Sequence, residues 1–396
     1  MSIFASRMNQ VHKSFIREIL KVTADPEVIS FAGGLPNANF FPVDEIAAAA
    51  SKVLAADGVT VLQYATSEGH RPLREWIAQR YEADGVHVDP DEILITNGSQ
   101  QGLDLIGKVL LNEGDTAIIE KPGYLGAIQT FSLYGVNFAP VDLLNDGLDV
   151  EQLQQLLQNQ TAKLFYSVPN FQNPSGVSYT AETRAAVAEL LQQHNVILVE
   201  DDPYGALRFT GQHQPLIRHY HQGTSITLGS FSKIVSPGLR MGWIAAPRPI
   251  MDKLLIAKQA SDLHSNYFTQ RILFQYLQDN PLDEHIGRIR AFYGQQCEQM
   301  LELLAEHMPA GVTYTRPEGG MFVWVTLPQE ITALDLFDRV AAQKVVFVPG
   351  PAFYTDGTGA HTLRLNFSNA DPDRMAEGIG RLGQVVKEMM AVKEVA

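Results

Sequence analysis

Ser230-Phe231-Ser232-Lys233 runs directly into Ile234-Val235-Ser236-Pro237-Gly238-Leu239-Arg240-Met241-Gly242-Trp243. The run follows a short apolar stretch, Ile226-Thr227-Leu228, which reads as a buried strand. A lysine therefore stands among hydroxyls just past a strand, with an arginine seven residues on. A lysine in a cationic neighbourhood partly shut off from water has a lowered pKa, so its amine can attack a carbonyl and be expelled again. Ser230, Ser232 and Arg240 offer hydroxyl donors and a guanidinium fork suited to a phosphate dianion. The pattern is what a Schiff-base lysine beside a phosphorylated cofactor needs. Taken alone it also reads as a solvated loop lysine with incidental serines, because short motifs recur by chance.

A chain of 396 residues with 45% apolar content suffices for one large domain with a satellite, or for two domains with real cores. The formal charge of -14 argues against nucleic acid or an acidic membrane surface as partner, while leaving room for a local basic pocket. One cysteine, Cys297, excludes an intrachain disulfide and a thiolate metal cluster and suits a reducing cytoplasm. The N-terminal residues lack a signal-peptide pattern, and no apolar run approaches the roughly 20 residues that span a bilayer. A soluble, cytoplasmic protein is expected.

Short apolar runs alternate with helix-period segments, the pattern of a mostly parallel sheet covered by helices. Ile93 to Thr96, Thr116 to Ile119, Leu164 to Val168, Val196 to Val199 and Ser225 to Leu228 read as buried strands. Between two of them Thr180 caps a helix with Val187, Leu190 and Leu191 on one face. The texture changes near Pro281. A long helix to about Leu304 leads to strands at Val312 to Thr315, Met321 to Thr326, Val345 to Val348 and Leu363 to Asn366, which suggests a smaller mixed domain. The reading is α/β: a seven-stranded-type sheet in a large domain over 41–280, a small α+β domain over 281–396, and an arm with a helix over 1–40.

Open α/β sheets bind ligands beyond the carboxyl ends of their strands. There, Asn97-Gly98-Ser99-Gln100-Gln101 opens a helix whose free N–H groups form a phosphate seat, or else Ser99 is an ordinary cap. Glu120-Lys121-Pro122-Gly123-Tyr124 offers a ring to cover a flat heteroaromatic, or simple packing. Asn170-Phe171-Gln172-Asn173-Pro174-Ser175-Gly176 fixes a turn with an amide side chain. Glu200-Asp201-Asp202-Pro203-Tyr204 sets acids at a strand end, costly to bury without a cation. A metal is the rival occupant, but no histidine or further carboxylate falls at nearby ligand spacing, whereas a protonated pyridine nitrogen suits Asp201.

These segments together resemble the fold type I pyridoxal-phosphate aminotransferases of class I/II, most closely the branch with 2-aminoadipate and kynurenine/aminoadipate aminotransferases. The resemblance runs from Ile29-Ser30-Phe31-Ala32-Gly33-Gly34-Leu35-Pro36 through FQNPSG, EDDPY and GSFSK to Thr362-Leu363-Arg364-Leu365-Asn366. It implies that Lys233 carries pyridoxal 5'-phosphate as a Schiff base and that Asp201 pairs with its ring nitrogen. It also implies that Tyr204 and Asn173 bond the phenolic oxygen, that Tyr124 stacks on the ring, and that Ser99, Gln100, Ser230, Ser232 and Arg240 hold the phosphate. Tyr64 matches a tyrosine that reaches the neighbouring subunit's phosphate, so a homodimer is implied. Arg364 matches the arginine that binds the substrate α-carboxylate.

Asn170 and Pro203 depart from the pattern at the pocket wall. The segment Phe15-Ile16-Arg17-Glu18-Ile19-Leu20 resembles a mobile helix whose arginine, here Arg17, serves a distal carboxylate; on its own Arg17 reads as a charge on a solvated helix face. The activity implied is ping-pong transamination between an L-amino acid (2-aminoadipate, glutamate, aromatic or branched-chain) and a 2-oxo acid such as 2-oxoglutarate. The same fold and cofactor run other reactions, of which β-lysis of cysteine conjugates is the alternative. A pyridoxal-phosphate-sensing regulator domain is the non-enzymatic one, disfavoured by the net charge and by a pattern that starts within the first thirty or so residues.

Overall fold

The computed structural model describes residues 3–5, 7–8 and 25–394. Arg17 and the segment around it lie outside the described residues.

Eight strands build the central sheet, in the order Ile93–Thr96, Gly242–Ala245, Ser225–Ser230, Ile197–Asp201, Leu164–Ser167, Thr116–Lys121, Asn137–Leu144, Gly147–Leu148. From Ser225–Ser230 to Asn137–Leu144 every pairing is parallel. Gly242–Ala245 runs antiparallel to both its neighbours, and the two-residue Gly147–Leu148 is a hairpin return that the sequence did not signal. All residues of Ile93–Thr96, Leu164–Ser167 and Ser225–Ser230 are buried, as a sheet covered on both faces requires. The crossover after Leu164–Ser167 is the helix Ala181–Gln193, whose cap Thr180 accepts the Thr183 N–H and whose Val187, Leu190 and Leu191 face the core.

Three strands extend past their apolar residues: Thr116–Lys121 carries Glu120, Ile197–Asp201 ends on Asp201 and Ser225–Ser230 ends on Ser230. Hydrophobic periodicity stops where the side chains turn polar, but the ladder hydrogen bonds do not. Groups expected on loops are therefore fixed on the sheet itself.

A second, antiparallel sheet contains Thr313–Tyr314, Phe322–Thr326, Thr362–Asn366 and Val348–Pro349. The single strand expected over Val345 to Val348 is in fact two. Val345–Val346 pairs in parallel with Ile29–Ser30, while Val348–Pro349 joins Thr362–Asn366. Between them Phe347 is fully buried, its ring edge-on to Phe337 at 5.5 Å. The segment around Phe31 is thereby tied to both Val345–Val346 and Thr362–Asn366: Phe31 N–H donates to Val346 O at 2.8 Å, and Asn366 N–H donates to Phe31 O at 2.9 Å. That pairing delivers the Ala32-Gly33-Gly34 loop to the ends of the large sheet's strands. Among the described residues no helix is long and apolar enough to cross a membrane.

Candidate active site

A cleft of about 380 Å³ opens beyond the strand ends, and among the described residues every expected site residue except Tyr64 lines it. A tighter cavity of about 170 Å³, between Trp76, Tyr81 and Trp243, shares only Pro203 and Ser230 with the cleft.

Lys233 stands three residues past the end of Ser225–Ser230, and its Nζ donates to Gly34 O at 2.8 Å. Burial, reinforced by the Arg364 and Arg240 charges, lowers its pKa to about 8. Asp201 is 2% exposed. Its Oδ2 accepts from Tyr166 Oη at 2.8 Å, whereas Oδ1 has no partner among the described residues. Burial raises the Asp201 pKa to about 7 even though the tyrosine bond opposes the shift, with the Asp202 and Glu120 charges adding to it. An unpaired buried acceptor is costly, so Asp201 is poised for a cationic donor.

Strand alternation turns the neighbouring acids away. Glu200 accepts from the backbone N–H groups of Ile217 and Arg218 at 2.7 and 3.0 Å. Asp202 accepts from Asn170 Nδ2 and from Gly205 N–H, both at 2.9 Å. Asn170 also accepts from the fully buried Arg184 at 2.7 Å, which explains the asparagine there: it fastens the pocket wall rather than entering the cleft. The three consecutive carboxylates thus have three separate surroundings. Among the described residues no group of three or more His, Cys, Asp or Glu is arranged to hold a metal ion.

Arg364, on Thr362–Asn366, brings the small sheet into the cleft. Its Nη1 donates to Asn173 Oδ1 at 2.7 Å and its Nη2 to Ala32 O at 2.6 Å, while Nε has no partner among the described residues. The guanidinium lies over the Phe322 and Phe353 rings at 4.3 and 5.2 Å. Burial lowers its pKa to about 10, so it stays charged at neutral pH. Asn173 Nδ2 faces Tyr204 Oη at 3.3 Å, so one amide orients both partners. Burial pushes the Tyr204 phenol upward, leaving it a neutral donor.

The end of the cleft that carries Arg240 is built around Gly98. Its φ of 76° and the absence of a Cβ, which would lie 2.7 Å from Arg240 Nη2, let the loop pass close under the guanidinium. Ser99 and Gln100 are the first residues of the helix Ser99–Leu110, where backbone N–H groups lack intrahelical acceptors. Gly98, not Ser99, occupies the cap position. The Gln100 side chain is engaged elsewhere, donating to Thr130 Oγ1 at 2.7 Å, so this residue offers its backbone. Ser230 Oγ accepts the Ser232 N–H at 3.1 Å. Tyr124 leads into the helix Leu125–Ser132; a Cβ on Gly126 would strike its ring at 2.6 Å, so a side chain there would displace the tyrosine.

Tyr64 is 78% exposed and far from collapsing onto its own chain. Its ring meets His264 edge-on at 5.9 Å, and the next backbone N–H, of Ala65, donates to His264 Nε2 at 3.3 Å.

Two contributors escaped the sequence pattern. Tyr166, inside a buried strand, is the sole hydrogen-bond donor to Asp201 Oδ2 among the described side chains. Glu120, buried, accepts from Ser167 Oγ, Val168 N–H, Gln172 Nε2 and Tyr179 Oη at 2.7–3.0 Å, and so ties a strand end to the turn that aims Asn173. The only signal was a carboxylate directly after the apolar run Thr116 to Ile119; the strand in fact continues through it to Lys121.

The family described as aminotransferase class I and II matches residues 26–382. The chain is 41% identical to aromatic-amino-acid aminotransferase 1 of Thermococcus litoralis, covering 98% of this chain and 94% of that one. It is 39% identical to the 2-aminoadipate transaminase of Thermus thermophilus, covering 98% of both. Among solved structures it matches the α-aminoadipate aminotransferase of Thermus thermophilus complexed with N-(5'-phosphopyridoxyl)-L-leucine, with a TM-score of 0.91, 39% identity and 98% of each chain covered. With its lysine, lone acid and arginine gathered in one cleft at the strand ends, the chain belongs to the class I and II aminotransferases.

Proposed function

We propose that this aminotransferase works by two half-reactions through one site, first taking the amino group from an L-amino acid and then giving it to a 2-oxo acid. The observation that carries the reading is the buried Asp201 Oδ1, without a partner among the described residues, on a residue that lines the same cleft as a lysine of lowered pKa. The family is pyridoxal-phosphate-dependent, and the residues present fit that group. Asp201 suits a protonated ring nitrogen, Tyr204 and Asn173 a phenolic oxygen, and Tyr124 the ring face. Arg240, Ser230, Ser232 and the N–H groups of Ser99 and Gln100 suit a phosphate. Bound there, pyridoxal 5'-phosphate supplies a carbonyl for the amine and a ring that accepts the electrons released at the substrate α-carbon.

The chain's own groups do the rest. Arg364, whose Nε is unpaired among the described residues, takes the substrate α-carboxylate and fixes which face of the α-carbon is presented. Lys233, freed when the substrate amine takes its place, removes the α-proton; a pKa of about 8 leaves a useful fraction of neutral amine at pH 7. Asp201 keeps the ring nitrogen protonated. Arg364→Lys is expected to lower kcat/KM for every L-amino acid by roughly 30-fold or more, since lysine cannot reproduce the fork. Steady-state kinetics on four donors checks this, and a loss confined to one donor would place the arginine at a side-chain subsite instead.

The donors we assign are 2-aminoadipate and glutamate together with aromatic and branched-chain amino acids, with 2-oxoglutarate as acceptor. Relatives named for aromatic amino acids and for 2-aminoadipate, and a phosphopyridoxyl-leucine adduct in a similar structure, support this breadth. Arg17 is assigned to the distal carboxylate. Arg17→Ala should depress turnover of glutamate and 2-aminoadipate while sparing leucine and phenylalanine, and equal losses across all four would remove that role. A homodimer with shared sites is part of the reading, supported by exposed Tyr64 beside exposed Val59 and Leu62. The deciding experiment follows the visible absorbance of the holoenzyme: bleaching by L-glutamate and recovery with 2-oxoglutarate is expected, and a band unmoved by any of the donors sinks the reading.

A further inference from the structure

The helix Arg248–Asp262 ends beside the loop that enters Ser99–Leu110, and its last turns carry an ammonium with no solvent exposure. Lys258 Nζ has three protons and three partners: the Asp262 carboxylate at 2.6 and 2.8 Å, Gln101 Oε1 at 3.0 Å and Ser265 Oγ at 3.0 Å. Asp262 is committed in the same way, its Oδ2 accepting from Asn97 Nδ2 and Gln101 Nε2, both at 2.7 Å. Gln101 Oε1 also accepts the Asn97 backbone N–H at 2.8 Å, and Ser265 Oγ donates to Ile95 O at 3.1 Å. The network therefore grips residues 95–101, the stretch that turns from strand through Gly98 into helix. Asn97 O extends it to the cleft by accepting from Arg240 Nη2 at 3.3 Å.

Lys258 is fully buried while the Asp262 side chain is 26% exposed, and desolvation of the ammonium offsets much of the attraction, so the pair brings little net stability. A fully satisfied polar network does fix geometry. Neither Lys258 nor Asp262 lines the cleft, so neither touches what binds there. We propose that Lys258 and Asp262 are positioning residues for the cofactor phosphate: they set the direction of the N–H groups at Gly98, Ser99 and Gln100 and hold the carbonyl that aims Arg240. The inference rests on the reading of that loop and Arg240 as the phosphate seat. Preorganised donors act only when held to within a fraction of an ångström, which a loop with a positive-φ glycine at its centre does not achieve unaided.

The test measures the equilibrium affinity of the apoprotein for pyridoxal 5'-phosphate and for pyridoxal, which lacks the phosphate. Wild type, Arg240→Ala, Lys258→Met and Asp262→Asn are compared, each checked for fold by circular dichroism. Lys258→Met is expected to weaken pyridoxal 5'-phosphate on the order of 10- to 100-fold while leaving pyridoxal nearly unchanged. Equal weakening of both ligands, or of neither, overturns the inference, since a merely structural pair has no reason to discriminate. Asp262→Asn, which preserves size, decides between these outcomes where Lys258→Met does not accumulate folded. Arg240→Ala separates the two readings. If it too leaves the ratio of affinities unchanged, the phosphate seat is misassigned; if it shifts the ratio and the other two variants do not, only the positioning inference falls.

Discussion

Lys233→Ala is expected to abolish amino-group transfer, with kcat falling by about four orders of magnitude and the lysine-linked visible band disappearing. Cofactor should still bind, since the proposed phosphate donors and Asp201 are untouched, but borohydride reduction should fix it to the wild-type chain and not to the variant, which intact-mass measurement reads. The wild-type lysine also has a readable pH signature. Its pKa is lowered to about 8 from the ordinary 10.5, so the amine is mostly charged at pH 6 and mostly neutral at pH 9. The rate at which apoprotein captures pyridoxal 5'-phosphate should rise with pH and level off above about 8. A midpoint near the ordinary lysine value would mean that the cleft does not desolvate the amine, and the account of Lys233 as a base at neutral pH would go with it.

Asp201→Asn is expected to act in opposite senses on catalysis and on stability. Without the carboxylate the ring nitrogen loses its proton partner, and transamination should fall by roughly two to four orders of magnitude. The cofactor-free protein, by contrast, should gain stability at alkaline pH. In the folded chain the Asp201 pKa is about 7, above its ordinary 3.8, so folding disfavours the ionised form. Stability from this group is intact below about pH 4, declines as pH rises through 7, and is lost above it. Asparagine does not ionise, so the variant's advantage should be near zero at pH 4 and reach on the order of a few kcal/mol at pH 8. Thermal melts of the two apoproteins at several pH values test this. An advantage that does not change with pH would show that the carboxylate is not strained by its burial.

What could be read from the sequence followed how far apart the partners lie along the chain. The order of strand ends was legible because each carries its chemistry locally: a lysine three residues past one strand, an acid at the end of another, a glycine and serine opening a helix. The polar ends of Thr116–Lys121 and Ser225–Ser230 were not, because ladder bonding persists where apolar periodicity stops. Contacts across long sequence separations were also hidden. Lys233 donates to Gly34 O, Arg364 to Ala32 O, and Lys258 to Gln101, and no local pattern pairs such positions. Gln100 shows a subtler limit: its position lines the cleft as its place after Gly98 suggests, but its amide is spent on Thr130, which only the packing of two helices decides.

Tyr64 has a consequence for genetics as well as for geometry. Tyr64 is 78% exposed on its own protomer, and its assignment in the proposed dimer to the site of the other predicts an active site that belongs to the pair. Two damaged chains are then expected to complement. In a mixed dimer of Lys233→Ala with Tyr64→Ala, both lesions fall in one cleft and the other cleft receives an intact lysine and an intact tyrosine. Mixing two poorly active proteins under conditions that exchange subunits should therefore restore turnover, while combining both changes in one chain should leave every homodimer site broken.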